Sequence, residues 1–276
     1  MNFPALPNGL GVHPMHLTLG KLFSMYIFAR KGKGKLMESI AELFEKREYY
    51  HAFQPICQFP EKNRIGYEVL LRSKAGQNPE LLFSTAKEKR KLPELDTQSF
   101  RHALSTFFRA SMEHNHELLF VNIFPTTIVE DSFPAFIEEI RQAFFPYLTR
   151  IVLEINESIM EGECWHEPVF TRRISELKAM GFLIALDDVG DAANIFHKIT
   201  DLSPDFIKID RFYSKELSTS QEKQKVVKLF VEFCKHEPQL ILEGVEEEED
   251  FACASSLGIA MGQGYLFGKP GRLQED

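Results

Sequence analysis

The sequence has no apolar run long enough to cross a bilayer, no excess of positive charge, no closely spaced cysteines and no glycine-rich turn suited to phosphate. Each absence removes a class of function. The longest apolar stretch near the start, Leu17 to Ala29, is broken by Gly20 and Lys21 and falls short of the ~20 residues a spanning helix needs. No basic segment precedes it, so no signal peptide is expected. A net charge of -8 argues against a surface that coats a nucleic-acid polymer. A small anionic substrate stays admissible, because a bound cation reverses the local sign. The four cysteines, Cys57, Cys164, Cys234 and Cys253, are too scattered to form a metal-ligand pair and read as reduced thiols of a cytoplasmic protein. His13/His16 and His114/His116 sit in polar, loop-like surroundings and read as surface residues. Lys33-Gly34-Lys35 follows no strand and is no phosphate loop.

What the chain does have is apolar bulk. It is 44% hydrophobic with 25 phenylalanines, enough for a substantial core. Residues 1–35 carry Pro4, Pro7, Gly9, Gly11 and Pro14 and read as a poorly ordered leader. Its basic end, Arg30 to Lys35, would suit an anionic membrane surface, but a loosely ordered leader is the simpler reading. Apolar spacing at Leu36, Ile40, Leu43 and Phe44 predicts a lead-in helix over 36–47. The domain is expected to run over 36–276.

Strand-like and helix-like patterns then alternate. Strands are expected near 52–58, 64–71, 118–124, 150–155, 182–187, 205–210, 239–243 and 261–267. Helices are expected near 80–90, 94–114, 126–144, 167–180, 192–199, 219–236 and 247–257. Pro125 suits a first helical turn, and Gly181 and Gly258 suit helix stops. Most of the acidic run Glu246 to Asp250 reads as a solvated face. Alternation of this kind builds a parallel sheet, either a closed barrel or an open doubly wound sheet.

The strand ends choose between them. Phe182 to Leu186 is an apolar run that ends on Asp187-Asp188, and neighbouring side chains of a strand point to opposite faces, so the strand is expected to stop there. Val152 to Glu154, Phe206 to Lys208 and Leu240 to Glu243 follow the same plan, with Asn122 and Glu68 as relatives. One such ending is a helix cap; a series is not. Only a barrel brings Glu68, Asn122, Glu154, Asp187, Lys208 and Glu243 to one rim, so an α/β (β/α)8 barrel is expected. So many carboxylates coexist by sharing protons or by binding cations. Oxygen ligands without thiolate or imidazole favour Mg²⁺ or Mn²⁺. Two such ions, about 3.5–4 Å apart, serve in-line displacement at phosphorus. Lys208 would orient the attacking water or neutralise developing charge.

The chain resembles the EAL domain, a family of cyclic di-GMP phosphodiesterases named for a Glu-Ala-Leu motif. Glu68-Val69-Leu70-Leu71-Arg72 matches that signature with a conservative valine. The likeness continues through Gln54-Pro55-Ile56, Val121-Asn122, Leu153-Glu154-Ile155-Asn156-Glu157, Leu186-Asp187-Asp188-Val189-Gly190, Ile207-Lys208-Ile209-Asp210, Glu243-Gly244-Val245-Glu246 and Gln263-Gly264-Tyr265-Leu266-Phe267-Gly268-Lys269-Pro270. The resemblance implies a TIM-type barrel with an antiparallel first strand that opens cyclic di-GMP to linear pGpG. By similarity, Glu68, Asn122, Glu154 and Asp187 would hold one ion, and Asp187, Asp188 and Glu243 the second. Glu243 would also act as general base, with Lys208 positioning the water. Gln54, Arg72, Asp210 and Gln263 would touch the substrate, Arg72 at a phosphate. Glu157 and Glu246 would brace neighbouring loops.

Two departures matter. After the paired aspartates the family reads Phe-Gly-Thr-Gly-Tyr-Ser-Ser, whereas this chain reads Val189-Gly190-Asp191-Ala192-Ala193-Asn194-Ile195. That loop steadies the second metal site and, in many members, the dimer, so a homodimer would be weakened here. Asn156 stands where threonine is usual. Two function classes stay open: an active phosphodiesterase, or a silent receptor or protein-interaction module that keeps the fold and binds cyclic di-GMP without turnover.

Overall fold

The computed structural model of the chain describes residues 48–273, apart from 75, 77, 111–115, 157–163, 191–197 and 236. The expected leader (1–35), the lead-in helix (36–47), Glu157 and most of the expected helix 192–199 lie outside the described residues. Eight strands close into a barrel in chain order: β1 (Tyr49–Gln58), β2 (Asn63–Ser73), β3 (Leu118–Asn122), β4 (Ile151–Asn156), β5 (Leu183–Val189), β6 (Phe206–Ile209), β7 (Gln239–Leu242) and β8 (Met261–Gln263). The alternating pattern therefore builds the closed barrel and not the open sheet. β1 is antiparallel to both β2 and β8, and the other neighbours are parallel. The reason is length: residues 59–62, which alone join β1 to β2, are too few for the crossover a parallel pair requires.

Inside the barrel the pleat sorts side chains with a period of two. Ile56, Phe120, Val152, Ala185, Phe206, Ile241 and Met261 form one buried apolar cluster. Their chain neighbours Val121, Leu153, Leu186, Ile207 and Leu242 belong instead to the larger core that includes the helices. Phe120 and Phe206 meet edge to face at 5.2 Å. Burying each large side chain stabilises by about 1.5–3 kcal/mol, so the inner cluster is a solid floor. Two residues beyond it, β3 to β8 and the end of β7 present Asn122, Glu154, Asp187, Lys208, Glu243 and Gln263. On the reversed β1 the same level is Gln54, which pairs in register with Glu68 of β2.

Some element boundaries differ from expectation. The expected helix 126–144 is two helices, Pro125–Val129 and Phe133–Phe144. Glu130 between them is extended, and Pro134 has no amide hydrogen to continue a helical ladder. The buried guanidinium of Arg173 donates to the carbonyls of Ile128 and Glu130 at the break. The expected strand 261–267 ends at Gln263, because the next segment folds onto Val245. A Cβ at Gly264 would lie 2.0 Å from the Val245 carbonyl oxygen, so only glycine fits there. Gly181 and Gly258 do stop helices, at positive φ. None of the four cysteines forms a disulfide. Among the described residues no helix is long and apolar enough to cross a membrane.

Behind the rim, β1 packs on the helix Leu92–Ala110 through a histidine pair. His51 Nδ1 lies 3.0 Å from His102 Nδ1, and His51 Nε2 lies 3.1 Å from Ser99 Oγ. Burial, helped by the neighbouring His102, lowers the His51 pKa from 6.5 to about 3, and burial lowers that of His102 as well. The unfolded chain thus takes up protons that the folded one refuses. The pair's contribution to stability is complete above pH 6.5 and is lost as pH falls toward 3. In urea unfolding, the parent should lose more stability than His51→Gln on going from pH 7.5 to pH 5.5; the same change in both proteins would refute the role given to the pair.

Candidate active site

The polar layer converges on a single ammonium. Lys208 is fully buried on β6, with Nζ 2.7 Å from Glu154 Oε1, 2.8 Å from Glu243 Oε1, 3.0 Å from Asp187 Oδ1 and 3.3 Å from Glu68 Oε2. Amides tie the carboxylates to the wall. Asn122 Nδ2 donates to Glu154 Oε2 at 3.1 Å and Glu68 Oε1 at 3.4 Å. Gln263 Nε2 donates to Glu68 Oε2 at 2.6 Å and Gln54 Oε1 at 3.3 Å, and Gln54 Nε2 donates to the Gly268 carbonyl.

Burial pushes the Glu154 carboxyl well above the usual range, with Glu68 and Asp187 adding to the shift and Lys208 opposing it. Glu243 is raised for the same reasons, burial first, with Asp187, Glu68 and Asp188 as its like-charged neighbours. Burial alone would lower the Lys208 pKa, but Asp187, Glu154, Glu243 and Glu68 outweigh it and hold the ammonium well above its ordinary value. Lys208 is therefore charged.

The paired aspartates do not end β5. The strand continues to Val189, and its register with β6 slips between Leu186 and Val189. Asp188 takes a left-handed φ of 55°. An irregularity of this kind breaks the two-residue alternation, so Asp187 stays buried inside while Asp188 emerges at the rim. Single oxygens of Asp187, Asp188 and Glu243 all lie within 4.8 Å of one another. Asn156 Nδ2 donates to Asp188 Oδ2 at 2.7 Å.

Other expected residues lie apart from this cluster. Arg72, on β2 beyond Glu68, donates from Nη1 to the Leu71 carbonyl. Asp210 Oδ1 accepts from the Phe212 amide at 2.7 Å, and Glu246 is exposed. None of the three hydrogen-bonds or ion-pairs with the Lys208 cluster. Two supporting carboxylates escaped the sequence reading. Asp96 Oδ2 accepts from the Phe124 amide, just past Asn122. Asp250 accepts from the amides of Glu216 and Ser218 and from Ser218 Oγ, which anchors the loop after β6. Asp250 is thus an exception to the solvated acidic face expected for 246–250. The signal was there: each is an aspartate on the apolar face of its helix, where periodicity calls for a hydrophobe.

The EAL domain model matches residues 37–270 of the chain. The chain belongs to the EAL domain family. The cyclic di-GMP phosphodiesterase PdeF of Escherichia coli is 24% identical over 246 residues, which cover 87% of this chain and 32% of PdeF. The blue light- and temperature-regulated antirepressor BluF of the same species is 26% identical over 249 residues, covering 88% of this chain and 59% of BluF. This EAL domain thus spans about a third of PdeF. Among solved structures, a manganese/cyclic di-GMP complex of BlrP1 from Klebsiella pneumoniae superposes with a TM-score of 0.71 at 24% identity, over 81% of this chain and 56% of that one. At that identity the superposition speaks for the barrel.

The residues of this EAL domain fit a divalent metal. The donor set is all oxygen, from five carboxylates (Glu68, Glu154, Asp187, Asp188, Glu243) and Asn122, as hard cations prefer. Glu154 Oε1 and Asp187 Oδ1 are buried, and each faces the Lys208 ammonium, at 2.7 and 3.0 Å. With all five carboxylates ionised, as cation binding requires, one ammonium would leave four negative charges, the amount two divalent cations carry. With metal chelated, Lys208→Met should lower unfolding free energy by about 3–5 kcal/mol, the cost of breaking a buried ion pair, and Mn²⁺ should restore part of it. Equal stability of variant and parent in urea titrations would contradict this charge balance.

Proposed function

We propose that this EAL domain is a cytoplasmic phosphodiesterase that hydrolyses cyclic di-GMP to linear pGpG with two Mg²⁺ or Mn²⁺ ions. The observation that carries the reading is the buried charge imbalance: carboxylates from separate strands surround one ammonium at the carboxyl ends of the barrel, where enzymes of this architecture place their chemistry. The names of PdeF and of the BlrP1 complex support the substrate and the metal class.

In this reading Glu68, Asn122, Glu154 and Asp187 hold one cation, and Asp187, Asp188 and Glu243 hold the other. Bound there, the ions supply positive charge to the attacking and leaving oxygens. Glu243, its carboxyl raised by burial, acts as general base and takes the proton of the attacking water. Lys208 orients that water and balances charge as the phosphorus centre is attacked. Gln263 and Asn122 hold the Glu68 carboxylate in place through their amide hydrogens. Arg72 reaches a substrate phosphate, and Gln54, Asp210 and Gln263 meet the rest of the ligand. Glu157 and Glu246 brace the adjoining loops. A homodimer, weakened by the altered segment 189–195, completes the proposal.

The antirepressor BluF supports a second reading, a module that binds cyclic di-GMP or a protein without turnover. Purified protein incubated with cyclic di-GMP and Mg²⁺ or Mn²⁺ separates the two by chromatography. Linear pGpG should form, disappear with Glu68→Ala, and be suppressed by chelator or by Ca²⁺, whose looser coordination suits the site poorly. Binding without product would favour the receptor, and undiminished turnover by Glu68→Ala would sink the mechanism.

A further inference from the structure

Asp188 is carried differently from the other carboxylates of the mouth. Lys208 Nζ lies within ion-pair distance of Glu68, Glu154, Asp187 and Glu243, and Asp188 is not in that set. It follows the register slip of β5 and sits at φ 55°, a backbone region where side-chain direction is not inherited from the strand. Asn156 Nδ2 donates to its Oδ2 at 2.7 Å.

Asn156 is well placed to hold a geometry. It is the last residue of β4 and pairs in register with Asp187 of β5. It lies two positions beyond Glu154, on the same side of the strand, so a strand end and not a loop carries the donor. The chemistry of the donor matters as well. A neutral amide meets one carboxylate oxygen without adding a charge that would compete with a cation. A lysine in its place would compete with a cation, and an aspartate would repel Asp188.

We infer that Asn156 is a positioning residue for the second cation: it fixes the orientation of the Asp188 carboxylate and thereby sets the affinity of the Asp187/Asp188/Glu243 site. The inference rests on the two-cation reading above. Outer partners of metal ligands commonly change affinity 10–100-fold when removed.

The test is Mn²⁺ binding to substrate-free protein, followed by the free-ion paramagnetic resonance signal and by calorimetry. The parent should bind two ions. Asn156→Ala should weaken one of them by about 10–100-fold and spare the other, with circular dichroism and the chelated melting temperature unchanged. Asn156→Thr, which keeps a neutral donor at the strand end, should recover most of the lost affinity. Two ions bound by Asn156→Ala with parental affinity would overturn the inference and leave the phosphodiesterase reading standing. A parent that binds no second ion would bring down the two-cation reading and this inference with it.

Discussion

A buried ammonium among carboxylates is the constraint from which the rest of this molecule follows. Lys208 has no exposed surface, and its Nζ lies within 3.3 Å of oxygens from four acidic residues. A charge placed there alone would cost several kcal/mol, so the carboxylates and the lysine require each other. Lysine suits the position because its compact charge reaches several partners at once, where a planar guanidinium would commit to one or two. The balance is incomplete, since four acidic side chains surround one ammonium and Asp188 adds a carboxylate at the rim, and that shortfall turns a structural ion cluster into a site for cations.

The barrel makes this arrangement tolerable by stacking an apolar layer beneath a polar one. The floor of Ile56, Phe120, Val152, Ala185, Phe206, Ile241 and Met261 seals one side, and the pleat places the polar residues two positions further along. Strand register then lines them up, with Asn122 beside Glu154 and Gln54 beside Glu68. The reversed β1 obeys the same rule read backwards, which is why Gln54 precedes Ile56 while its partners follow their floor residues. The amides of Asn122, Gln263 and Asn156 spend their hydrogens on carboxylates, so neutral donors orient the acidic groups without consuming the charge deficit.

Much of this was legible in the chain itself. Apolar runs that end on Glu, Asp, Lys or Asn marked β3 to β7, because a strand buried on both faces must be apolar until it leaves the core. The short connector over 59–62 carries the reversal of the first strand, although only the family likeness pointed to it. The split of the helix expected over 126–144 was present as Pro134 but was read as part of one periodic pattern. Asp96 and Asp250 were harder, because a carboxylate on a helix reads as solvent-facing unless the amides it accepts from are known, and those lie on other elements.

The sequence by itself determined which residue types stand at the strand ends, the closed barrel they imply and the kinship that the match over 37–270 bears out. Those follow from period and composition, which are local properties of a chain. Only the tertiary structure decided that β5 runs on past the paired aspartates with a register slip, that Asn156 meets the exposed one, and that Lys208 touches four carboxylates while Arg72 and Asp210 turn to their own backbone neighbourhoods. Such matters depend on register between strands and on side-chain reach across the mouth, distances that no one-dimensional pattern contains.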